Sequence, residues 1–426
     1  MISTAIRSMK ARGLVDSRSE HTIEVEVVTE GKGFGRSIAS LGAPESRDVW
    51  EPPAYPKGGV KVAIEKVRQI VAPKLVGMDS REQQRIDRVL REIDGTRNFA
   101  DIGGNTATVI SIAVAKAAAS TLNLPLYEYL GTPFPSELPI PISNTIGGAP
   151  HARKGKVPDM QEHQVVPVGA RSLEEAMLAT MMARKEARKL CIEKDVDFNG
   201  GADDENAWIP NVTDRTALEI LSHVCEKVRD ATGVDTRIGI DVAAGALWDK
   251  NKEVYFYERE GAKRDSGEQL EYISDLIKTF SLYYVEDMVH SNDYSSYVEL
   301  TKKHGDACLI CGDDFFTCNF ERLQKGIEIG AANSLIIKVN MTGTLSDTYR
   351  VIQLAREHRY IPVISRRSGE TDDTTIVHLA VAWGCPLCKY GSPVAGTGAM
   401  KFNEALRIEE ELGTKARMPN LTTSPK

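Results

Sequence analysis

The sequence predicts an α/β protein in which a small N-terminal α+β domain precedes a TIM-like β/α barrel. Three observations carry this. An early run alternates apolar and polar residues across a glycine-rich turn and is followed by helical spacing. A proline-rich stretch, LGTPFPSELPIPISN, then interrupts the pattern. Beyond it, short apolar runs alternate repeatedly with charged amphipathic segments, the signature of a parallel sheet and, with this many units, of a barrel.

In HTIEVEVVTEGKGFGRSIAS, Ile23, Val25 and Val27 recur with period two, and the glycines mark a turn into a second strand. This predicts an antiparallel pair. Helical spacing follows over Lys61 to Leu75 and Ser80 to Ile93. DIGGNTATVISIAVAKAAAS predicts an alanine-rich helix capped by Asn105 or Thr106. The boundary is placed in the proline-rich stretch, giving domains 1–135 and 136–426. QVVPVGA, RIGIDVAA, YYVED, CLICGDD, SLIIKVN, IPVIS and PLCKYGS read as barrel strands.

With 426 residues, 42% of them hydrophobic, the chain can bury a large core. A formal charge of −7 argues against a nucleic-acid or membrane-surface partner, since either needs a basic excess. No apolar run reaches membrane-spanning length, and the first residues lack the pattern of a signal peptide. Seven scattered cysteines suit a reducing, cytoplasmic setting. CLIC and CPLC have zinc-like spacing, but both sit in apolar strands without a polar knuckle, so core packing is the expectation.

Reactive residues close several strands. Asp241 ends RIGID, Glu286 ends YYVE, Asp313 follows CLICG, Lys338 follows SLII, Arg367 follows PVISR and Lys389 ends PLCK. Their separations of 45, 27, 25, 29 and 22 residues suit successive strand–helix units. Barrel strands converge at their C-terminal ends, so three acids and three cations are expected at one mouth. Converging acids need a cation, and oxygen-only ligands suggest Mg2+. A lysine facing such a cation suits removal of a proton beside a carboxylate, with cationic neighbours lowering the lysine pKa.

These motifs resemble the enolase family over Ala11 to Gly413. The resemblance rests on VDSRSEHTIEVEV, SIAVAKAAA, LPIPISNTIGGAPHA, MQEHQVVPVGA, DDENAWIPN, IGIDVAA, VEDMVHSND, CGDDFFTCN, LIIKVNMTGTLSDT, SRRSGETDDT and KFNEALRIEEELG. It implies an N-terminal cap domain, a barrel with irregular first units, and Mg2+-dependent dehydration of 2-phosphoglycerate, the arrangement best known from enolase-superfamily sites. By the same resemblance, Asp241, Glu286 and Asp313 hold the metal and Lys338 is the base. Glu205, with Glu162 beside it, assists departure of the hydroxyl, and His151 belongs to a loop near the substrate. Arg367 and Ser368 clamp the phosphate, Lys389 faces the carboxylate, and Arg366 adds a charge at the clamp or lies on the surface. Asp314 is either a neighbour of Lys338 or solvated. A homodimer or higher homo-oligomer is implied, with the DSR segment near its interface.

Several motifs depart from the family pattern. The cap loop reads ASLGAPESRD, with Pro44 where a serine usually helps hold a second Mg2+; Ser40 is a substitute to consider. Arg366 replaces a histidine, GDEGG has become DDENA, QEF has become QEH, and VAGTGAMK lacks the arginine usual after Lys389. These changes keep two alternatives in view: a paralogue acting on another phosphate- or phosphonate-bearing carboxylic acid, and a non-catalytic binding protein.

Overall fold

The computed structural model describes residues 3–42, 50–131, 137–149, 151–152 and 156–421. The N-terminal sheet is an antiparallel meander of β1 (Ile6–Val15), β2 (His21–Thr29) and β3 (Phe34–Ile38). The expected pair is therefore three strands. β1 escapes the period-two pattern because Ile6, Met9 and Ala11 are its buried apolar residues and a register irregularity separates Ile6 from Ser8.

Helices α1 (Gly59–Lys66) and α2 (Ala72–Leu75) are joined by a π-helical turn, Val67–Val71, where one long helix was expected. Pro73 lies at the start of α2, where its missing N–H does least harm to the helical ladder. Next come α3 (Gln83–Asp94), α4 (Gly104–Thr121) and α5 (Leu126–Leu130). The cap residue of α4 is Gly103, not Asn105 or Thr106. Instead, Asn105 donates to the Ser40 carbonyl (3.0 Å) and accepts from Asn340 (2.9 Å), bridging the two domains.

Small residues let α4 sit between the sheet and the barrel. A Cβ on Gly35 would meet the Ala113 carbonyl at 2.0 Å, so β3 needs glycine for this approach. On its other side, Thr108 bonds the Gly343 carbonyl (3.3 Å).

The barrel closes in the order β10-β11-β12-β13-β14-β4-β5-β6. Its strands are β4 (Ile140–Gly147), β5 (Glu162–Val166), β6 (Arg237–Asp241), β10 (Tyr284–Glu286), β11 (Leu309–Gly312), β12 (Ser334–Ile337), β13 (Ile361–Ser365) and β14 (Leu387–Lys389). A three-stranded excursion, β7 (Trp248–Asp249), β8 (Val254–Tyr257) and β9 (Ala262–Arg264), leaves the barrel after β6. The sheet is not wholly parallel: β5 runs antiparallel to both β4 and β6. Among the described residues no helix separates β4 from β5, and β5 returns antiparallel beside β4 rather than by a crossover.

Two helices, α6 (Leu173–Lys194) and α7 (Asp214–Thr232), then precede β6. The remaining helices are α8 (Ala244–Leu247), α9 (Ser266–Phe280), α10 (Tyr294–His304), α11 (Phe320–Ile329), α12 (Val339–Thr342), α13 (Leu345–Glu357), α14 (Thr375–Ala382) and α15 (Ala395–Leu412). Ile140, Ile142, Val166, Tyr284, Leu309, Ile336, Val363 and Leu387 pack together in one cluster drawn from the barrel strands. All seven cysteines are buried and unbridged; Cys311 and Cys388 lie in barrel strands, while Cys308 and Cys385 precede them. The expected domain boundary at 135 lies outside the described residues.

Candidate active site

Register brings the acids together. Glu286, the last residue of β10, is opposite Asp241, the last residue of β6. Asp241 is in turn opposite Glu162, the first residue of β5. Because β5 is reversed, its first residue lies at the mouth where its neighbours end. Three carboxylates on adjacent strands thus face one rim.

Lys389, ending β14, reaches across this group. Its Nζ donates to Glu286 (2.8 Å) and Asp241 (3.1 Å) and lies 3.3 Å from Glu162. All four side chains are buried. Burial works against the ammonium, but Glu162, Glu286 and Asp241 outweigh it and raise the Lys389 pKa far above its ordinary value. Burial and Asp241 together push Glu286 well up, and burial, opposed by Lys389, also raises Glu162.

Lys338 follows β12 and forms an ion pair with Asp313, just beyond β11. Burial acts to lower the Lys338 pKa, and Arg367 and Lys389 act the same way; Asp313 overrides them and the net shift is upward. The expected depression is therefore absent in this arrangement, because the nearest charge to Lys338 is an acid. Asp313 is itself fixed from below. Asp287, at φ +43°, accepts the backbone N–H of Asp313 (2.9 Å) and Asp314 (2.8 Å) and the Tyr297 hydroxyl (2.9 Å). Burial, then Asp313 and Asp241, push Asp287 up to about 7. Left-handed backbone at a non-glycine residue beside Glu286 is strain of a kind that clusters at functional sites. Asp314 is half-buried, and burial raises its pKa while Lys338 opposes the shift.

The opposite wall comes from the loop between α6 and α7. Glu205 is buried, paired with Arg366 (2.7 Å), 3.8 Å from His151 and 3.4 Å from the Ser368 hydroxyl. Burial acts to raise Glu205, but Arg366 and then His151 hold it well below the usual carboxylate range. The Glu205 charge, followed by Glu162, raises His151 against the effect of its own burial. Arg366 is thus a buried partner of Glu205 and not a surface charge. Gly391 makes room for it, since a Cβ there would lie 2.3 Å from its Nη1. Asp203 holds the loop by accepting the N–H groups of Glu205 and Ala207, each at 2.9 Å. Trp208 anchors it to α6, with the Arg184 guanidinium 3.6 Å from the ring centroid.

Arg367, buried, pairs with Glu51 of the N-terminal domain and donates to Asn340 (3.2 Å). Ser368 lies 3.4 Å from His151. A cavity of ≈ 380 Å³, counting its open mouth, is lined by Glu162, Glu205, Asp241, Asp313, Lys338 and Arg367, among others. Its charged and polar lining suits a small polar ligand.

The same walls suit a hard cation. Buried Glu286 Oε1 and Asp313 Oδ1 have no hydrogen-bond partner among the described residues. Among those residues, His151, Glu162 and Glu205 also bring ligand atoms within 4.8 Å of one another, as do Asp287, Asp313 and Asp314. Asp241, Glu286 and Asp313 supply the carboxylate oxygens that Mg2+ takes, although here Lys389 and Lys338 hold them.

A closed barrel that gathers buried carboxylates and two lysines at its strand ends defines an acid–base enzyme of the β/α-barrel class. The chain belongs to the enolase family. Residues 6–130 match the enolase N-terminal domain and residues 135–423 the enolase C-terminal TIM barrel domain. It is 47% identical over 411 residues to the enolase of Methanothermobacter thermautotrophicus, covering 96% of this chain and 98% of that protein. The Methanosphaera stadtmanae enolase is also 47% identical at the same coverage, and that of Halorubrum lacusprofundi is 42% identical over 409 residues, 96% of this chain and 99% of that one.

Sequence reasoning missed Asp287, Glu51, Asn340 and Asp203. Asp287 had a signal, an acid directly after a strand-end ligand in YYVED. Glu51 had none, since it meets Arg367 316 residues away. Pro44 of the altered cap loop lies outside the described residues, while Ser40 bonds Glu370. His163, from QEH, is buried and lies 3.3 Å from Asp214. Among the described residues, no helix is long and apolar enough to cross a membrane.

Proposed function

We infer that this protein is a carbon–oxygen lyase that dehydrates 2-phosphoglycerate to phosphoenolpyruvate, with Mg2+ as its cation. The observation that carries the reading is the pairing of buried Lys389 and half-buried Lys338 with carboxylates at the barrel mouth, opposite a second acid wall at Glu205.

Asp241, Glu286 and Asp313 would hold the cation, and a cation there would offset the second negative charge that develops on the substrate carboxylate. Lys338 takes the proton from carbon 2. Asp313 favours the ammonium form of Lys338, so the lysine must lose that pairing and give up a proton to solvent before Nζ accepts the one from carbon 2. Lys389, drawn to Asp241 and Glu286, then faces the substrate carboxylate. The His151–Glu205 pair carries one proton, and with Glu162 alongside it delivers that proton to the departing carbon 3 hydroxyl, which leaves as water. Arg367 turns from Glu51 to the phosphate, with Ser368 as hydroxyl donor.

Arg366 does not offer a second anion site, because Glu205 occupies it. This favours 2-phosphoglycerate over a more highly charged acid. A cytoplasmic homodimer completes the reading and is checked by sedimentation. The central test is turnover of 2-phosphoglycerate with Mg2+, followed by the ultraviolet absorbance of the enol product. Robust turnover, abolished in Lys338→Ala, is expected; no turnover by a Mg2+-binding protein would refute the substrate.

A further inference from the structure

We propose that the Asp16–Glu20 turn of the N-terminal domain, acting through Arg18, is a positioning element that sets Glu205 against the Arg367–Ser368 arm. The turn is a self-contained unit. Asp16 Oδ1 accepts the backbone N–H of Arg18 (2.8 Å) and of Glu20 (2.9 Å), and Asp16 N donates to the Glu20 carbonyl (3.0 Å). From it, Arg18 crosses to the barrel and pairs with Asp204, the residue directly before Glu205. Both side chains are largely withdrawn from water, at 9% and 21% exposure. A surface pair would contribute little order, whereas a pair this sheltered fixes geometry.

The same turn grips the facing arm. Ser17 N donates to the Glu370 carbonyl (2.9 Å). Gly369 packs so closely that a Cβ on it would lie 2.5 Å from Asp16 Oδ2. After β3, Leu41 N and Gly42 N add bonds to the Gly369 (3.2 Å) and Ser368 (2.9 Å) carbonyls. Glu205 and Ser368 face each other at 3.4 Å, although they come from barrel loops 163 residues apart. One short turn from another domain touches the segments carrying both. Among the described residues, Lys338 pairs with Asp313, and Asp241 and Glu286 with Lys389, rather than with the turn. Arg18 therefore acts on elimination of the hydroxyl more than on removal of the carbon 2 proton.

This rests on the proposed role of Glu205, and the test separates the two. The full chain is incubated with Mg2+ and 2-phosphoglycerate in D2O. Two rates are read on one sample: replacement of the carbon 2 hydrogen by deuterium, and formation of phosphoenolpyruvate. Arg18→Met is expected to slow product formation about 10- to 100-fold, the scale of a misplaced catalytic group, while exchange stays much closer to wild type. Arg18→Lys is expected to restore much of the ratio. Where the single variant fails to fold, Arg18→Met/Asp204→Leu removes both charges and is expected to show the same altered ratio at a near-normal melting temperature. An equal loss of both rates in a folded variant overturns the proposal. Glu205→Gln is run alongside. If it leaves the ratio unchanged, the role of Glu205 fails and the inference with it. If it alters the ratio and the Arg18 variants do not, only the inference fails.

Discussion

Lys389→Met removes the cation held among Glu162, Asp241 and Glu286 and leaves its apolar stem nearly intact. In the wild type the ammonium lies 2.8 Å from Glu286, 3.1 Å from Asp241 and 3.3 Å from Glu162, with every group buried. At an effective dielectric of about 20, each contact is worth roughly 5 kcal/mol of gross attraction, mostly offset by desolvation. Breaking a buried pair by removing one partner costs about 3–5 kcal/mol, because the other charge stays behind. The Mg2+-free variant is thus expected to melt about 3–6 °C lower. The penalty has a defined pH sign. Burial already raises Glu286 and Glu162, so without the ammonium the loss is full above their folded pKa values and shrinks as falling pH protonates them. Mg2+ supplies the missing charge. Wild type gains about 2.7 kcal/mol at a hundredfold excess over Kd, and the variant is expected to gain more, since binding also relieves its acids. Calorimetry at pH 8 and pH 5, with and without Mg2+, reads all of this. An unchanged melting temperature in Mg2+-free buffer, or a Mg2+ response no larger than wild type's, would refute the assignment of these acids as the cation site.

Three further outcomes are expected. Lys338→Ala should lower kcat by about 10²- to 10⁴-fold and abolish deuterium exchange at carbon 2, read by NMR, with the fold intact by circular dichroism. Asp203→Asn keeps the acceptor for Glu205 N and Ala207 N while removing a carboxyl that burial, then Glu205, pushes up to about 7. A raised carboxyl favours the folded state fully below its unfolded pKa and loses that advantage as pH rises through about 7. The variant should therefore gain stability over wild type from pH 4 towards pH 7, by no more than about 1.4 kcal/mol per pH unit, in denaturant titrations. Gly391→Ala places a Cβ 2.3 Å from Arg366 Nη1 at φ +81°, and should cost about 1–3 kcal/mol of stability together with a clear loss of kcat.

The strand-end residues were legible because the barrel imposes a rule that survives in one dimension. A reactive residue closing each apolar run, at strand–helix intervals, converges at the mouth whatever lies between. Asp241, Glu286 and Lys389 follow that rule by being the last residues of their strands. Two features escaped it. β5 lacks a crossover helix, so alternation implied a parallel strand and hid the reason Glu162 reaches the mouth. Arg366 was ambiguous because a charge after a strand reads alike whether it meets solvent or Glu205. Partners such as Arg18 and Asp204 lie 186 residues apart, a distance no local period spans.

The resting charge pattern itself carries mechanism. Lys338 has Asp313, Lys389 has Asp241 and Glu286, Arg366 has Glu205, and Arg367 has Glu51. Each of these cations is thus paired with an acid, as the cost of isolated interior charge requires. On the proposed reading, a divalent cation would take up acids now paired with the lysines, and a phosphorylated carboxylate would take up Lys389 and Arg367. Arg366 is the exception, because its acid is assigned to the chemistry rather than to a ligand. It keeps its partner throughout, which explains how a histidine position can carry a permanent charge without adding a site for another anion.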